Sequence, residues 1–98
     1  MEFEKLLEKA QIGDRYSMFK VAESYYWSNG TEADYEEAFF WYKKAADLGN
    51  TSAMVGIAEC YYWGEGFETN LDEALFWYKK AADNGDEFAQ NKLKKMQG

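Results

Sequence analysis

Residues Phe40-Trp41-Tyr42-Lys43-Lys44-Ala45-Ala46-Asp47 return letter for letter as Phe76-Trp77-Tyr78-Lys79-Lys80-Ala81-Ala82-Asp83. The offset is 36 residues, and residues 17–52 set against 53–88 give 19 identities in 36 pairs. Tyr25-Tyr26-Trp27 returns as Tyr61-Tyr62-Trp63, Ala22-Glu23 as Ala58-Glu59, Gly30 as Gly66 and Gly49 as Gly85. A period between about 20 and 50 residues marks a solenoid, in which each unit buries its apolar face against its neighbours.

Each unit reads as two helices. In the first, helix A, Met54, Ile57, Ala58 and Tyr61 recur at i, i+3, i+4 and i+7, as do Met18, Val21, Ala22 and Tyr25. In the second, helix B, the stripe is Ala74, Trp77, Tyr78 and Ala81, matched by Ala38, Trp41, Tyr42 and Ala45. Asp34 and Asn70 are suitable N-caps, and Glu37 and Glu73 three residues on predict a capping box. Lys43, Lys44, Lys79 and Lys80 stand near the ends of helix B, where the helix dipole favours cations. Gly49 and Gly85 suit the left-handed position after the helix, and Asn50 and Asp86 can cap the next one.

The ends read as half-units. Residues 2–12 align with a degenerate helix B, with Ala10, Ile12 and Gly13 where Ala46, Leu48 and Gly49 stand. Residues 86–97 begin a third helix A, with Ala89 and Leu93 at the Ala53 and Ile57 positions. The expected fold is an all-α solenoid of six helices forming a single domain. It divides into an N-terminal capping helix at 1–13, repeats at 14–49 and 50–85, and a C-terminal capping helix at 86–98.

Composition narrows the function. A formal charge of −7 and a sequence pI near 4.5 oppose phosphate binding, so nucleic acid and anionic membrane surfaces are disfavoured as partners. No apolar run approaches the ~18 residues of a membrane span. The start, Met1-Glu2-Phe3-Glu4-Lys5, lacks the apolar core of a secretory signal, which sets the expectation of a cytoplasmic protein. The single cysteine, Cys60, forms no internal disulfide, and histidine is absent, which removes the commonest general base and zinc ligand.

These residues resemble the Sel-one-like repeat, a tetratricopeptide-related α/α solenoid. The resemblance rests on Ala53-Met54, Ile57-Ala58-Glu59-Cys60-Tyr61, Gly64-Glu65-Gly66-Phe67, Asn70, Glu73-Ala74, Trp77-Tyr78-Lys79-Lys80-Ala81-Ala82 and Gly85. The first unit departs from the pattern, with Ser28 for the first loop glycine and Thr31 for the apolar loop residue. The resemblance implies an adaptor or scaffold that holds a protein or peptide partner in a concave groove lined by helix A. Carried over by position, the groove comprises Phe19, Glu23, Tyr26 and Trp27 in the first unit and Val55, Glu59, Tyr62 and Trp63 in the second. Asn91 and Lys95 extend the same line into the last helix.

The residue chemistry points the same way. Tyr26, Trp27, Tyr62 and Trp63 fall outside the helix A stripes, and Tyr and Trp dominate interface hot spots. Glu23 and Glu59 add negative charge one turn earlier, suiting a partner with apolar anchors and a Lys or Arg. Trp27 and Trp63 fit equally an inter-helix cap packed within the repeat. On this reading Tyr26→Ala and Tyr62→Ala leave the fold intact and weaken binding. Trp41, Tyr42, Trp77 and Tyr78 read as core. Phe40 and Phe76 fit either an apolar patch supporting weak self-association or partial burial.

Enzyme readings are poorly supported. Cys60 has no histidine to activate it, and its counterpart one period back is Ser24, a position that wants a small side chain. The pairs Glu36/Glu37 and Asp72/Glu73 stand in first helical turns, where capping explains them. The loop Glu65-Gly66-Phe67-Glu68-Thr69-Asn70-Leu71-Asp72 lacks the alternating spacing of a calcium loop, and no cofactor or metal site is expected. Two alternatives to the scaffold stand. One is a dedicated inhibitor or immunity-type protein of one enzyme or toxin. The other is a small-molecule-binding or enzymatic repeat protein, disfavoured because the paired cysteines of the β-lactam-associated relatives are missing.

Overall fold

A computed structural model of the chain describes residues 2–65 and 68–97, so the loop positions Gly66 and Phe67 lie outside the described residues. Six helices follow in order: α1 Glu2–Gln11, α2 Arg15–Trp27, α3 Tyr35–Asp47, α4 Thr51–Trp63, α5 Leu71–Asp83 and α6 Glu87–Gln97. No strand occurs among the described residues. The protein is an all-α solenoid of stacked helix pairs with a half-unit at each end.

Local chemistry starts and stops these helices as the sequence predicts, with one exception. Asp34 and Asn70 accept from the backbone N–H groups of Glu37 and Glu73, and Asn50 and Asp86 accept from those of Ala53 and Ala89. The return half of the capping box does not form. The backbone N–H groups of Asp34 and Asn70 donate instead to the carbonyls of Tyr25 and Tyr61, at 3.0 and 2.9 Å. Those carbonyls belong to the last turns of α2 and α4, which lack intrahelical partners. Each bond therefore satisfies two orphan groups and ties the A–B loop shut. Ser28 ends α2 at φ 56°, the left-handed geometry that Gly64 adopts at φ 69° after α4.

The core runs along the seams between consecutive helices, with α2 on α3 and α4 on α5 most extensive. Ala22, Ala38, Ala45, Ala58, Ala74 and Ala81 are fully buried, which lets neighbouring backbones approach closely. Trp41, Tyr42, Trp77 and Tyr78 fill the remaining space, so the helix B stripes are core in both repeats. The stack measures 44 × 25 × 16 Å, an elongated form expected when each unit touches only its neighbours. Ala10 and Ala89 carry the seam into α1 and α6. Within the first repeat Arg15 ties the start of α2 to the end of α3, its Nη1 donating to the Leu48 carbonyl at 2.8 Å.

Phe40 and Phe76 remain half-exposed, edge-on to Trp41 and Trp77 at 5.3 Å. Lys44 and Lys80 lie over their rings at 5.1 and 5.7 Å, which occupies part of the apolar surface with charge.

Candidate functional site

Helix α2 carries Phe19, Glu23, Tyr26 and Trp27 at i, i+4, i+7 and i+8, a single face. Helix α4 carries Ser52, Val55, Gly56 and Glu59 at i, i+3, i+4 and i+7, again a single face. The solenoid sets these faces beside each other, and between them opens a cavity of about 150 Å³. Tyr42 of α3 completes its lining. That volume is in the range of an engineered cavity able to admit benzene. Trp27 stands at the cavity mouth 67% exposed.

Glycine at position 56 decides how tightly this site is built. A Cβ added there would meet Cε1, Cδ1 and Cζ of Tyr42 at 2.6, 2.7 and 2.8 Å, closer than real Cβ atoms come. The Tyr42 ring therefore lies directly against the α4 backbone, and its hydroxyl donates to Glu23 Oε2 at 2.9 Å. Tyr26 packs edge-on against Trp27, Tyr35 and Tyr42, with centroids 4.8, 5.4 and 6.3 Å away. Its hydroxyl donates to the Glu65 carboxylate. Two tyrosine hydroxyls thus hold two glutamates in place, of which Glu23 lines the cavity, and Glu59 lines it from α4.

Burial, then the adjoining carboxylates, hold these phenols neutral. Burial raises Tyr42 and Tyr26 well above the usual tyrosine value, with Glu23 adding to the first and Glu65 to the second. Burial likewise raises Tyr78, whose hydroxyl donates to Glu59. Cys60 is fully buried, and burial followed by Glu65 and Glu59 pushes its thiol up to about 12. A thiol so protonated is a poor nucleophile.

The second repeat presents a related constellation in a different state. Lys92 of α6 places its Nζ over the Tyr62 ring at 4.2 Å, with Trp63 at 5.3, Phe88 at 5.8 and Tyr78 at 6.0 Å. The same Nζ lies 3.8 Å from Glu59 Oε2, and the two side chains are only 17% and 25% exposed. Four rings and a carboxylate thus surround one ammonium.

Of the ten residues singled out from sequence, the structure gathers Phe19, Glu23, Tyr26, Trp27, Val55 and Glu59 around the cavity. Tyr62 and Trp63 stand one period on, around Lys92, and Asn91 and Lys95 are exposed on α6. Tyr26 and Tyr62 pack against the core, contrary to the expectation that both tyrosines were left over. The stripe argument assumes one buried face, whereas an interior solenoid helix has neighbours on two sides. Of the aromatics expected to line the groove, Trp27 and Trp63, 67% and 58% exposed, are the ones that stand outside the core.

Sequence reasoning missed Gly56, Ser52, Lys92 and the double role of Tyr42, whose ring is core on one side and cavity lining on the other. A signal existed for two of them. The period puts Lys20, Gly56 and Lys92 at one register position, and an unexplained glycine inside a helix is costly.

Among the described residues no group of three or more His, Cys, Asp or Glu is placed to hold a metal ion. None of the described helices is long and apolar enough to cross a membrane. The predicted metal-free reading of the Glu65–Asp72 loop falls partly on Gly66 and Phe67, outside the described residues.

Several known proteins share this architecture. A protective antigen of uropathogenic Escherichia coli displaying an SLR fold superposes with a TM-score of 0.91 at 34% identity, over 96% of this chain and 20% of that one. A Sel1 repeat protein from Oxalobacter formigenes gives a TM-score of 0.85 at 31% identity, over 93% of this chain and 37% of that one. Cysteine-rich protein B of Helicobacter pylori gives 0.82 at 21% identity, over 91% and 67%, a likeness of fold alone. This chain therefore spans about a fifth and just over a third of the first two proteins. No curated protein sequence matches it. The Sel1 repeat pattern matches residues 15–50 and again 51–86. With both repeats matched and the helical stack shared, the chain belongs to the Sel1 repeat family.

Proposed function

We propose that this protein is an interaction module that holds a segment of a partner protein in the cavity between α2 and α4. Sel1 repeat proteins are generally protein-interaction scaffolds, typically without catalytic activity of their own. The observation that carries the reading for this chain is the cavity itself. Its mouth is formed by Trp27, an exposed aromatic that the core does not use, and its walls hold Phe19 and Val55 beside Glu23 and Glu59. A large aromatic ring with few rotatable bonds contributes contact area at low entropic cost. The carboxylates, on a chain of net charge −7, favour a basic partner segment.

The test is selection of displayed random peptides against the intact chain, followed by titration with Trp27→Ala. Trp27 is exposed, so its removal spares the fold, while loss of a hot-spot aromatic weakens binding by about 30-fold or more. Selected peptides that bind the Trp27→Ala protein equally well would place the interaction elsewhere.

A further inference from the structure

We propose that the α2–α4 cavity recognises a lysine side chain of the partner segment, and that Lys92 already shows the bound state in the second repeat. This inference rests on the docking reading above and adds the chemistry of what is recognised.

The argument is one of internal equivalence. Shifting by 36 residues maps Glu59, Tyr62, Trp63 and Tyr78 onto Glu23, Tyr26, Trp27 and Tyr42, which are identical residue types. In the second repeat this set surrounds the Lys92 ammonium, with ring centroids from 4.2 to 6.0 Å and the Glu59 carboxylate at 3.8 Å. In the first repeat the register position of Lys92 is Gly56, and that of Phe88 is Ser52. The repeat has the aromatic and acidic groups but lacks the cation, and a cavity opens beside them through which a chain from outside could enter.

Three features fit an external cation. None of the residues lining the cavity is cationic. The first repeat has Glu59 where the second has Lys95, so a further carboxylate, shared with Lys92 and the Tyr78 hydroxyl, also borders this cavity. The chain cannot supply the cation itself from position 56, because the Tyr42 ring lies where a Cβ would go. A lysine fits better than arginine as the occupant, since the repeat that is filled holds a primary ammonium. Such a group over Tyr and Trp faces gains both ring and carboxylate attraction once partly desolvated.

The experiment titrates the isotope-labelled full chain with n-butylammonium by NMR, with 1-butanol and butyrate as matched comparators at constant ionic strength. The proposal expects saturable shifts at the Trp27 indole N–H and the Gly56 amide, with butanol and butyrate about 3- to 30-fold weaker. Glu23→Gln weakens the response, and Trp27→Ala, which leaves the folded spectrum otherwise in place, abolishes it. Lys92→Ala opens the second constellation, so that n-butylammonium then also shifts the Trp63 indole N–H. Equal response to butanol, or no response at Trp27, overturns lysine recognition. A display-selected peptide that loses Trp27-dependent binding when its lysine becomes norleucine supports the proposal. One that keeps its affinity refutes lysine recognition but leaves docking standing. Failure to select any Trp27-dependent peptide counts against docking itself, whatever n-butylammonium does.

Discussion

Gly56→Ala sets a sequence rule against a structural one. Gly56 lies inside α4, and replacing a helix-interior glycine by alanine ordinarily stabilises by about 1 kcal/mol. Here the new Cβ would stand 2.6–2.8 Å from three atoms of the Tyr42 ring. Carbon atoms prefer about 3.5–4.0 Å, so the ring must withdraw by roughly 1 Å. Tyr42 has little room to do so, being 2% exposed and tied through its hydroxyl to Glu23. Overpacking of this kind costs about 1–3 kcal/mol, and loosening a hydrogen bond to a charged acceptor pushes the cost toward the upper end. The clash therefore outweighs the helix gain, leaving a net loss of about 1–2 kcal/mol. For a domain of this size that lowers Tm by roughly 5–15 °C, measurable by calorimetry or by thermal loss of helical circular dichroism. A double-mutant cycle separates the two effects: in a Tyr42→Leu background, Gly56→Ala loses its clash and becomes neutral or stabilising. A Tm for Gly56→Ala equal to or above the parent would refute the account of why glycine stands there.

Other outcomes follow from the same geometry. Ser28→Gly removes the left-handed strain of a non-glycine residue at φ 56° and raises stability by about 1 kcal/mol, whereas Gly64→Ser lowers it by a similar amount; chemical unfolding of both variants checks the pair. Trp27→Ala costs under about 1 kcal/mol because the ring is exposed, while Tyr26→Ala, which strips packing from Tyr42 and Tyr35, costs about 2–4 kcal/mol. Urea midpoints that came out equal would contradict that division of the aromatics. Tyr42 and Tyr78 have folded pKa values raised above the ordinary tyrosine value, chiefly by burial. Their contribution to stability is therefore complete below pH about 10 and falls as pH rises toward the folded values, by about 1.4 kcal/mol per pH unit for each. Alkaline titration should show tyrosinate absorbance rising together with loss of helix, and native Cys60 should resist thiol reagents until that transition, since its thiol is buried and held protonated up to about 12.

Much of this molecule was legible in the chain of letters. The period of 36, the stripes of Ala38-Trp41-Tyr42-Ala45 and Ala74-Trp77-Tyr78-Ala81, and the caps at Asp34, Asn50, Asn70 and Asp86 are local signals. Each acts within a turn or two of helix, so spacing alone specifies the number of helices, their ends and their apolar faces. Repetition also told which faces recur, while the grouping of Phe19, Glu23, Trp27, Val55 and Glu59 as one face came from the resemblance to Sel-one-like repeats, carried over by position.

What the sequence could not decide is how much of each face the neighbours consume. Tyr26 and Trp27 are adjacent and equally off the stripe, yet one packs into the stack and the other stands 67% exposed, because α2 has helices on two sides. The two hydroxyl–carboxylate pairings of Tyr42 with Glu23 and Tyr78 with Glu59 join residues 19 apart in sequence that meet only when helix B folds back on helix A. Whether a repeat's aromatic and acidic set is filled or open likewise depends on one register position of the next helix, lysine at 92 and glycine at 56. Local propensity sets where helices begin and end. Contacts between helices decide which side chains remain free, because exposure belongs to the assembled stack and not to any single segment of it.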